Sequence, residues 1–344
     1  MSSPAIIFAI VSALLFGFGA PLARLLLNDT SPQMLAGLLY LGSGSGLALW
    51  RLWRPSQGQE APLRRKDLPA LGLMVICGGL LGPWLLMEGL QHTDAARGSL
   101  LLNLESVATL LIAWLILREA VDRRLLLGAL AIVAGSLCLS WQGQGHASQG
   151  GWLITAACLC WGIDNNATNR LSHADPVRLA MLKGLIAGPW NLLLAVAAGH
   201  ALPAIGISLT AMLLGLLAYG LSLVLYILAS RGLGAARSAA YFALAPFAGA
   251  AFAVAILHQP LTGLMILAAL LMALGVGLHL LEDHAHEHQH EPMEHEHRHR
   301  HDEHHQHAHQ PDDPPGEWHS HPHRHAPLRH SHAHYPDLHH RHRH

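Results

Sequence analysis

The sequence predicts an all-α membrane protein of ten transmembrane helices in two inverted five-helix repeats, followed by a disordered His-rich C-terminal tail. Three observations point there. Of the 344 residues, 51% are hydrophobic and only 12% are charged, against roughly 25% charged in soluble globular domains. Ten apolar stretches are long enough to cross a hydrocarbon core, which takes about 20 residues of helix because each backbone polar group must be satisfied inside the segment. The second set of five stretches also repeats the first, so the chain divides into 1–140, 151–281 and a tail, 282–344, that holds 23 of the 29 histidines.

The first stretch, 4–27, is apolar up to Arg24 and closes at the turn residues "NDTSP". No basic region precedes it, so it reads as a retained span and not a cleaved signal. The second, 32–50, carries Gly42, Gly44 and Gly46, small residues that let membrane helices approach closely. The third, 68–90, follows Arg64, Arg65 and Lys66, and its Gly78, Gly79 and Gly82 before Pro83 permit a kink. The fourth, 97–117, is apolar apart from a few polar residues that include Asn103 and Glu105. The fifth, 123–140, ends before "QGQGHASQGG". The sixth, 151–170, turns polar at its end, and the seventh, 177–198, holds Lys183 and stops at "HALPAIG". The eighth, 207–230, and ninth, 236–257, are separated by a loop with Arg231, and the tenth, 261–281, runs into the tail.

Cytoplasmic loops carry the excess of lysine and arginine. With the N-terminus inside, the inner loops hold Arg51, Arg54, Arg64, Arg65, Lys66, Arg118, Arg123, Arg124, Arg170, Arg178, Arg231 and Arg237, and the other side holds Arg24 and Arg97. The expected location is therefore a cell inner membrane, multi-pass, with both termini cytoplasmic. Cys77, Cys138, Cys158 and Cys160 all fall inside spans, where free cysteine acts as a small apolar residue. No disulfide is expected.

At an offset of 140, Ala95, Ala96 and Arg97 align with Ala235, Ala236 and Arg237, and Gly135 with Gly275. Five spans per copy is odd, so the second copy must enter the membrane inverted, a common plan for transporters whose sites lie near the midplane. The motifs "CWGIDNN", "DPVRLAMLK" and "YFALAPFAGAAFAVAIL" resemble the EamA branch of the drug/metabolite transporter superfamily over residues 4–281. The resemblance implies alternating access and export of small metabolites or toxic compounds. Two departures stand out: Ser106 replaces the usual proline of the fourth span although Pro246 keeps it in the ninth, and Glu119 has Gln259 as its counterpart.

A charge at the bilayer centre costs about 2.5 to 3.5 kcal/mol on insertion scales, so it should face the bundle interior and find a partner. Glu88, Glu105, Asp164 and Lys183 are such sites. Counting 1.5 Å per residue from the span ends puts Asp164 and Lys183 level, on consecutive antiparallel helices, where they can pair. Glu105 has no evident basic partner, since Arg97 lies two turns away on the same helix. A carboxyl so placed can carry a proton or bind a cationic solute, or be hydrogen-bonded to Asn103, Ser106 or a neighbouring helix for packing. Asn103, Asn165 and Thr168 are candidate cavity residues with it. Asn165, Asn166 and Asn169 serve equally as helix glue, and Asn191 reads as glue.

No nucleotide-binding loop, nucleophile elbow or zinc-protease motif is present, so an enzyme is not expected. The tail lacks apolar residues to bury and should be disordered without ligand. Its imidazoles, at His284, His286, His288, His290, His295, His297, His299, His301, His304, His305, His307 and His309, suit nickel, cobalt or zinc. No cofactor is required. The partners expected are a small-molecule solute and the lipid bilayer, with a homodimer left open and nucleic acid excluded. Three functions follow, in order: a secondary exporter of small organic metabolites or drugs, a transition-metal transporter or metal-regulated exporter, and a non-transporting membrane-anchored metal-binding or sensing protein.

Overall fold

In hydrocarbon an unpaired backbone N–H or C=O has no water to turn to, so apolar stretches fold as helices. The computed structural model describes residues 3–53, 63–118, 121–140, 149–171, 174–233 and 235–280, and in the tail 285–289, 293–299, 319–325 and 329–333. The first segment is Ser3–Leu26 and the second Pro32–Trp53. The third comprises Leu68–Val75 and Gly82–Gln91 joined by a π turn, Ile76–Leu81. The fourth is broken into Ala95–Leu101 and Leu104–Leu115. The fifth, sixth and seventh are Arg123–Ser140, Gln149–Arg170 and Pro176–Ala197. The eighth comprises Ile205–Gly215, a π turn Leu216–Leu221, and Ser222–Leu233. The ninth is broken into Ala235–Phe242 and Ala245–Ala255, and the tenth is Gly263–Leu280.

Local chemistry sets the ends. Asp175 precedes Pro176, and its side chain accepts from the Val177 and Arg178 amides at the start of the seventh segment. That segment ends at Gly199, whose φ of 85° suits glycine, with the His200 amide folded back to the Ala195 carbonyl at 3.0 Å. Asp94 caps the fourth segment by accepting from the Arg97 amide at 2.8 Å.

The surface is the reverse of a soluble protein's. Trp53 is 82% exposed, Leu52 76% and Ile205 76%, while the interior is built mainly of alanine and leucine, with methionine, glycine and serine among them. Five of the described segments are long and apolar enough to cross a membrane: Pro4–Leu26, Arg65–Gln91, Ala95–Leu115, Pro176–Ala197 and Ile205–Ala229. An apolar exterior on such helices is the surface of a multi-pass membrane protein.

The irregularities of the helices recur at nearly one spacing. Both π turns stand 140 residues apart, Ile76–Leu81 and Leu216–Leu221. Arg118 and His258, also 140 apart, are the described non-glycine residues with positive φ, 58° and 53°. The breaks after Leu101 and Phe242 differ by one residue more. Packing follows the same pattern. The second segment packs on the seventh and the fifth on the tenth, while the first packs on the eighth and ninth as the sixth packs on the third and fourth.

Where the second and seventh segments cross, Gly44 and Gly184 bring backbone against backbone, and neither position has room for a Cβ. In the tail the described residues form two short ribbons. Ala285–Gln289 pairs antiparallel with Arg329–Ala333, and Met293–His299 with His319–His325. Alternating sequence has the period of a strand, and two-stranded ribbons are marginal on their own.

Gly184→Val is expected to lower the unfolding midpoint of the purified protein in detergent, by about 1 to 3 kcal/mol of overpacking. Gly72→Ala, where no atom lies within 4 Å of the added carbon, is expected to leave the midpoint unchanged or slightly raised.

Candidate functional site

A π turn inserts one residue into the i→i+4 ladder and frees a carbonyl for another donor. In the turn Ile76–Leu81 two carbonyls are left open, because Pro83, which has no N–H, stands where Gly78 and Gly79 would find their donor. The Gly78 carbonyl accepts from the Tyr40 hydroxyl at 2.7 Å and from the Trp161 indole N–H at 3.2 Å. The Gly79 carbonyl accepts from the Asn191 amide at 3.2 Å. Side chains of the second, sixth and seventh segments thus hold the distorted third. Gly78 matters for a second reason: the Asp164 carboxylate and the Lys183 ammonium fill the place its side chain would take.

Lys183 Nζ donates to Asp164 Oδ2 at 2.5 Å, and the Thr168 hydroxyl donates to Asp164 Oδ1 at 3.2 Å. Asp164 is 5% exposed and Lys183 9%. In a low-dielectric interior each of these charges is costly alone, and the contact satisfies both. The pair comes from consecutive helices whose counted depths match.

Glu105 lies in the first turn of Leu104–Leu115, just past the break at Leu102 and Asn103. Its Oε1 accepts from the Asn165 amide at 2.9 Å, and Asn165 also reaches the Thr109 hydroxyl at 3.1 Å. The carboxyl is half-buried, and Asn165 is exposed. Asn166 ties the sixth segment to the fourth by donating to the Thr109 carbonyl at 3.2 Å. Aromatic rings stand around this region: Phe16 meets Trp161, Tyr219 and Phe242, and Tyr40 meets Tyr219 with centroids 5.4 Å apart.

The structure therefore brings Asp164, Lys183 and Thr168 into one cluster, and Glu105 with Asn165 into a second, joined to the first through the adjacent residues Asp164 and Asn165. Asn103 is turned elsewhere, donating to the Leu100 carbonyl at 2.9 Å and the Met272 sulfur at 3.7 Å. Glu88 stands near the other end of the bundle, 3.9 Å from the His92 ring. Tyr40, Trp161 and Tyr219 were not singled out from the sequence for this cluster, and Gly78 was read only as a kink. The sequence signal that could have found Tyr219 is the offset of 140, which sets it opposite Gly79 beside the glycines of the third segment.

Of the tail histidines, His284, His290, His301, His304, His305, His307 and His309 lie outside the described residues, and His286, His288, His295, His297 and His299 lie on the tail strands. Among the described residues no group of three or more histidine, cysteine or acidic side chains is disposed to hold a metal.

The profile of the EamA-like transporter family matches residues 3–141 and again residues 148–281. An uncharacterized transporter of Methanothermobacter thermautotrophicus is 27% identical over 293 residues, which cover 78% of this chain and 83% of that protein. A protein of known crystal structure aligns with a TM-score of 0.62 at 18% identity, covering 82% of this chain and 99% of its own. At that identity the likeness concerns the fold alone.

Lys183→Met leaves the Asp164 carboxylate buried without its cation, and is expected to destabilise the protein by about 3 to 5 kcal/mol. Adding Asp164→Asn to Lys183→Met is expected to recover most of the loss, measured as the thermal midpoint in detergent.

Proposed function

The chain belongs to the EamA-like transporter family, and from that premise we propose that it is a secondary transporter exporting small organic metabolites or drugs by alternating access. In this reading ten helices cross a cell inner membrane as two inverted five-helix repeats, with both termini cytoplasmic. Two consecutive matches to one family profile support the repeat, as does the recurrence of both π turns at an offset of 140.

The observation that carries the reading is where the charges gather. Gly78 of one π turn touches Asp164 and Lys183. Tyr219 of the other packs on Tyr40, ring centroids 5.4 Å apart, and the Tyr40 hydroxyl donates to the Gly78 carbonyl. Glu105 itself follows the break in the fourth segment. Distorted helix is tolerated at membrane depth where it is buried in protein or lines a cavity, and transporters place their binding residues on such segments. Here the ionisable groups sit on or against them.

Within this frame Glu105 binds a cationic group of the solute or carries the coupling proton. Its partner Asn165 is neutral and exposed, so the carboxyl can exchange partners without leaving a charge stranded. Asp164 and Lys183 hold the third, sixth and seventh segments together and line the inner half of the route. The tail is a separate element, and its imidazoles would bind nickel, cobalt or zinc as a buffer or sensor.

Glu105→Gln is expected to insert and fold as the wild type does but to lose or flatten the pH dependence of transport in inverted vesicles screened with a panel of metabolites and metals. Wild-type rates across pH would overturn the role given to Glu105. Deleting residues 284–344 is expected to leave solute export unchanged, and a loss of nickel, cobalt or zinc tolerance would favour the metal-centred reading instead.

A further inference from the structure

A cleft of about 580 Å³ opens between the end of the first segment, the turn joining the third to the fourth, and the turn joining the ninth to the tenth. It lies at the end of the bundle remote from Asp164 and Lys183. Arg24 and Arg97 both line it. By loop charge these are the two arginines on the minority side of the membrane, where orientation gives no reason to keep them. That both converge on one cleft asks for a local reason.

The hydrogen bonds around the cleft supply one. Asp94 accepts from the Arg97 amide at 2.8 Å with one oxygen and pairs with Arg97 Nε at 3.2 Å with the other. The Asn28 side-chain oxygen accepts from Arg24 at 3.4 Å, and the Thr93 carbonyl accepts from Arg24 Nε at 3.3 Å. The Gln259 side-chain oxygen accepts from the Ala96 amide at 2.8 Å. His92 faces Glu88. The side-chain oxygens of Asn28, Asp94 and Gln259 and the Thr93 carbonyl are thus engaged by the protein's own donors.

What remains is donors. Arg24 rests on two neutral oxygens at long distance, and each of its and Arg97's guanidinium groups has five N–H donors to place. With their oxygens engaged, Asn28 and Gln259 are left with their amide N–H groups. A cleft whose carboxylate already has its own donors, and where two guanidinium groups and the Asn28 and Gln259 amides supply most of the remaining capacity, is complementary to an anion that only accepts, and guanidinium matches a planar or tetrahedral oxyanion in two bonds at once.

We propose that this cleft is an oxyanion-binding site, taking the carboxylate or phosphate group of a ligand at one mouth of the bundle. The ligand is a free solute or the headgroup of a membrane lipid. The assignment does not depend on which solute crosses the protein, and its test needs no transport.

The test is titration of the purified full chain with inorganic phosphate, followed by ³¹P NMR line broadening. It is run in phospholipid-free neutral detergent and again in phosphatidylglycerol nanodiscs. Asn28→Asp and Gln259→Glu keep the oxygens that accept from Arg24 and Ala96 but replace the free N–H groups with acceptors, so folding is preserved while complementarity is lost. Together with Arg24→Gln, each is expected to weaken phosphate binding about tenfold or more, the loss of one charge-assisted bond. Lys66→Gln, an exposed cation at the far face, is expected to leave binding unchanged. Binding retained in nanodiscs assigns the site to a free solute, and binding seen in detergent but displaced in nanodiscs assigns it to the headgroup. Absence of saturable phosphate binding in detergent would overturn the proposal. So would wild-type binding by the three cleft variants, or equal weakening by Lys66→Gln.

Discussion

A polar group at membrane depth has to find its partner inside the protein, and most of this architecture follows from that one constraint. Asp164 and Lys183 meet it with each other and with Thr168. The carbonyls released by the π turn at Ile76–Leu81 meet it with Tyr40, Trp161 and Asn191. Asn103 meets it by bonding the Leu100 carbonyl at the break in its own helix. The first two solutions tie one segment to another, so there satisfying polarity and fixing the bundle are the same event. Solvation by lipid gives the apolar outer face no such preference, so small residues that allow close approach and hydrogen bonds between helices add specificity to a core that also packs leucine and methionine.

Glu105 answers the constraint differently. Its bond to Asn165 is to a neutral, exposed partner, so the carboxyl is satisfied without being locked. Asp164 is locked, by a cation at 2.5 Å and by the absence of a side chain at Gly78. The two acids therefore differ in mobility of bonding although both sit on the inner faces of the fourth and sixth segments. One suits a structural clamp, the other a site that exchanges ligands or protons.

Much of this was legible in the sequence. Composition and span length were enough for the helices, because in hydrocarbon the backbone has few alternatives. The pairing of Asp164 with Lys183 followed from counting depths on adjacent antiparallel helices. The repeat appeared in a handful of residues, Ala95 to Arg97 against Ala235 to Arg237, and in the structure it reappears in the π turns and in the positive φ of Arg118 and His258. The distortions themselves were not legible. The carbonyls left open at Gly78 and Gly79 are taken by donors distant in the chain, and nothing near Gly78 announces Tyr40, Trp161 or Asn191. Asn103, read as a cavity residue beside Glu105, serves the helix break instead, since a short amide next to a released carbonyl bonds locally first. Arg24 and Arg97 were recorded as exceptions to a charge rule, and only the folded turns bring them into one cleft.

The central claim is that the groups around Glu105 face a water-filled interior between two halves and not the acyl chains. It is tested most directly by thiol accessibility at Asn165→Cys, in a chain whose four native cysteines are replaced by alanine. The account predicts that this thiol reacts with a membrane-impermeant maleimide from the aqueous phase, while Leu209→Cys, on the apolar outer surface, does not. A thiol at 165 that stays unreactive from both sides, and is quenched by a lipid-dissolved spin probe, would contradict it.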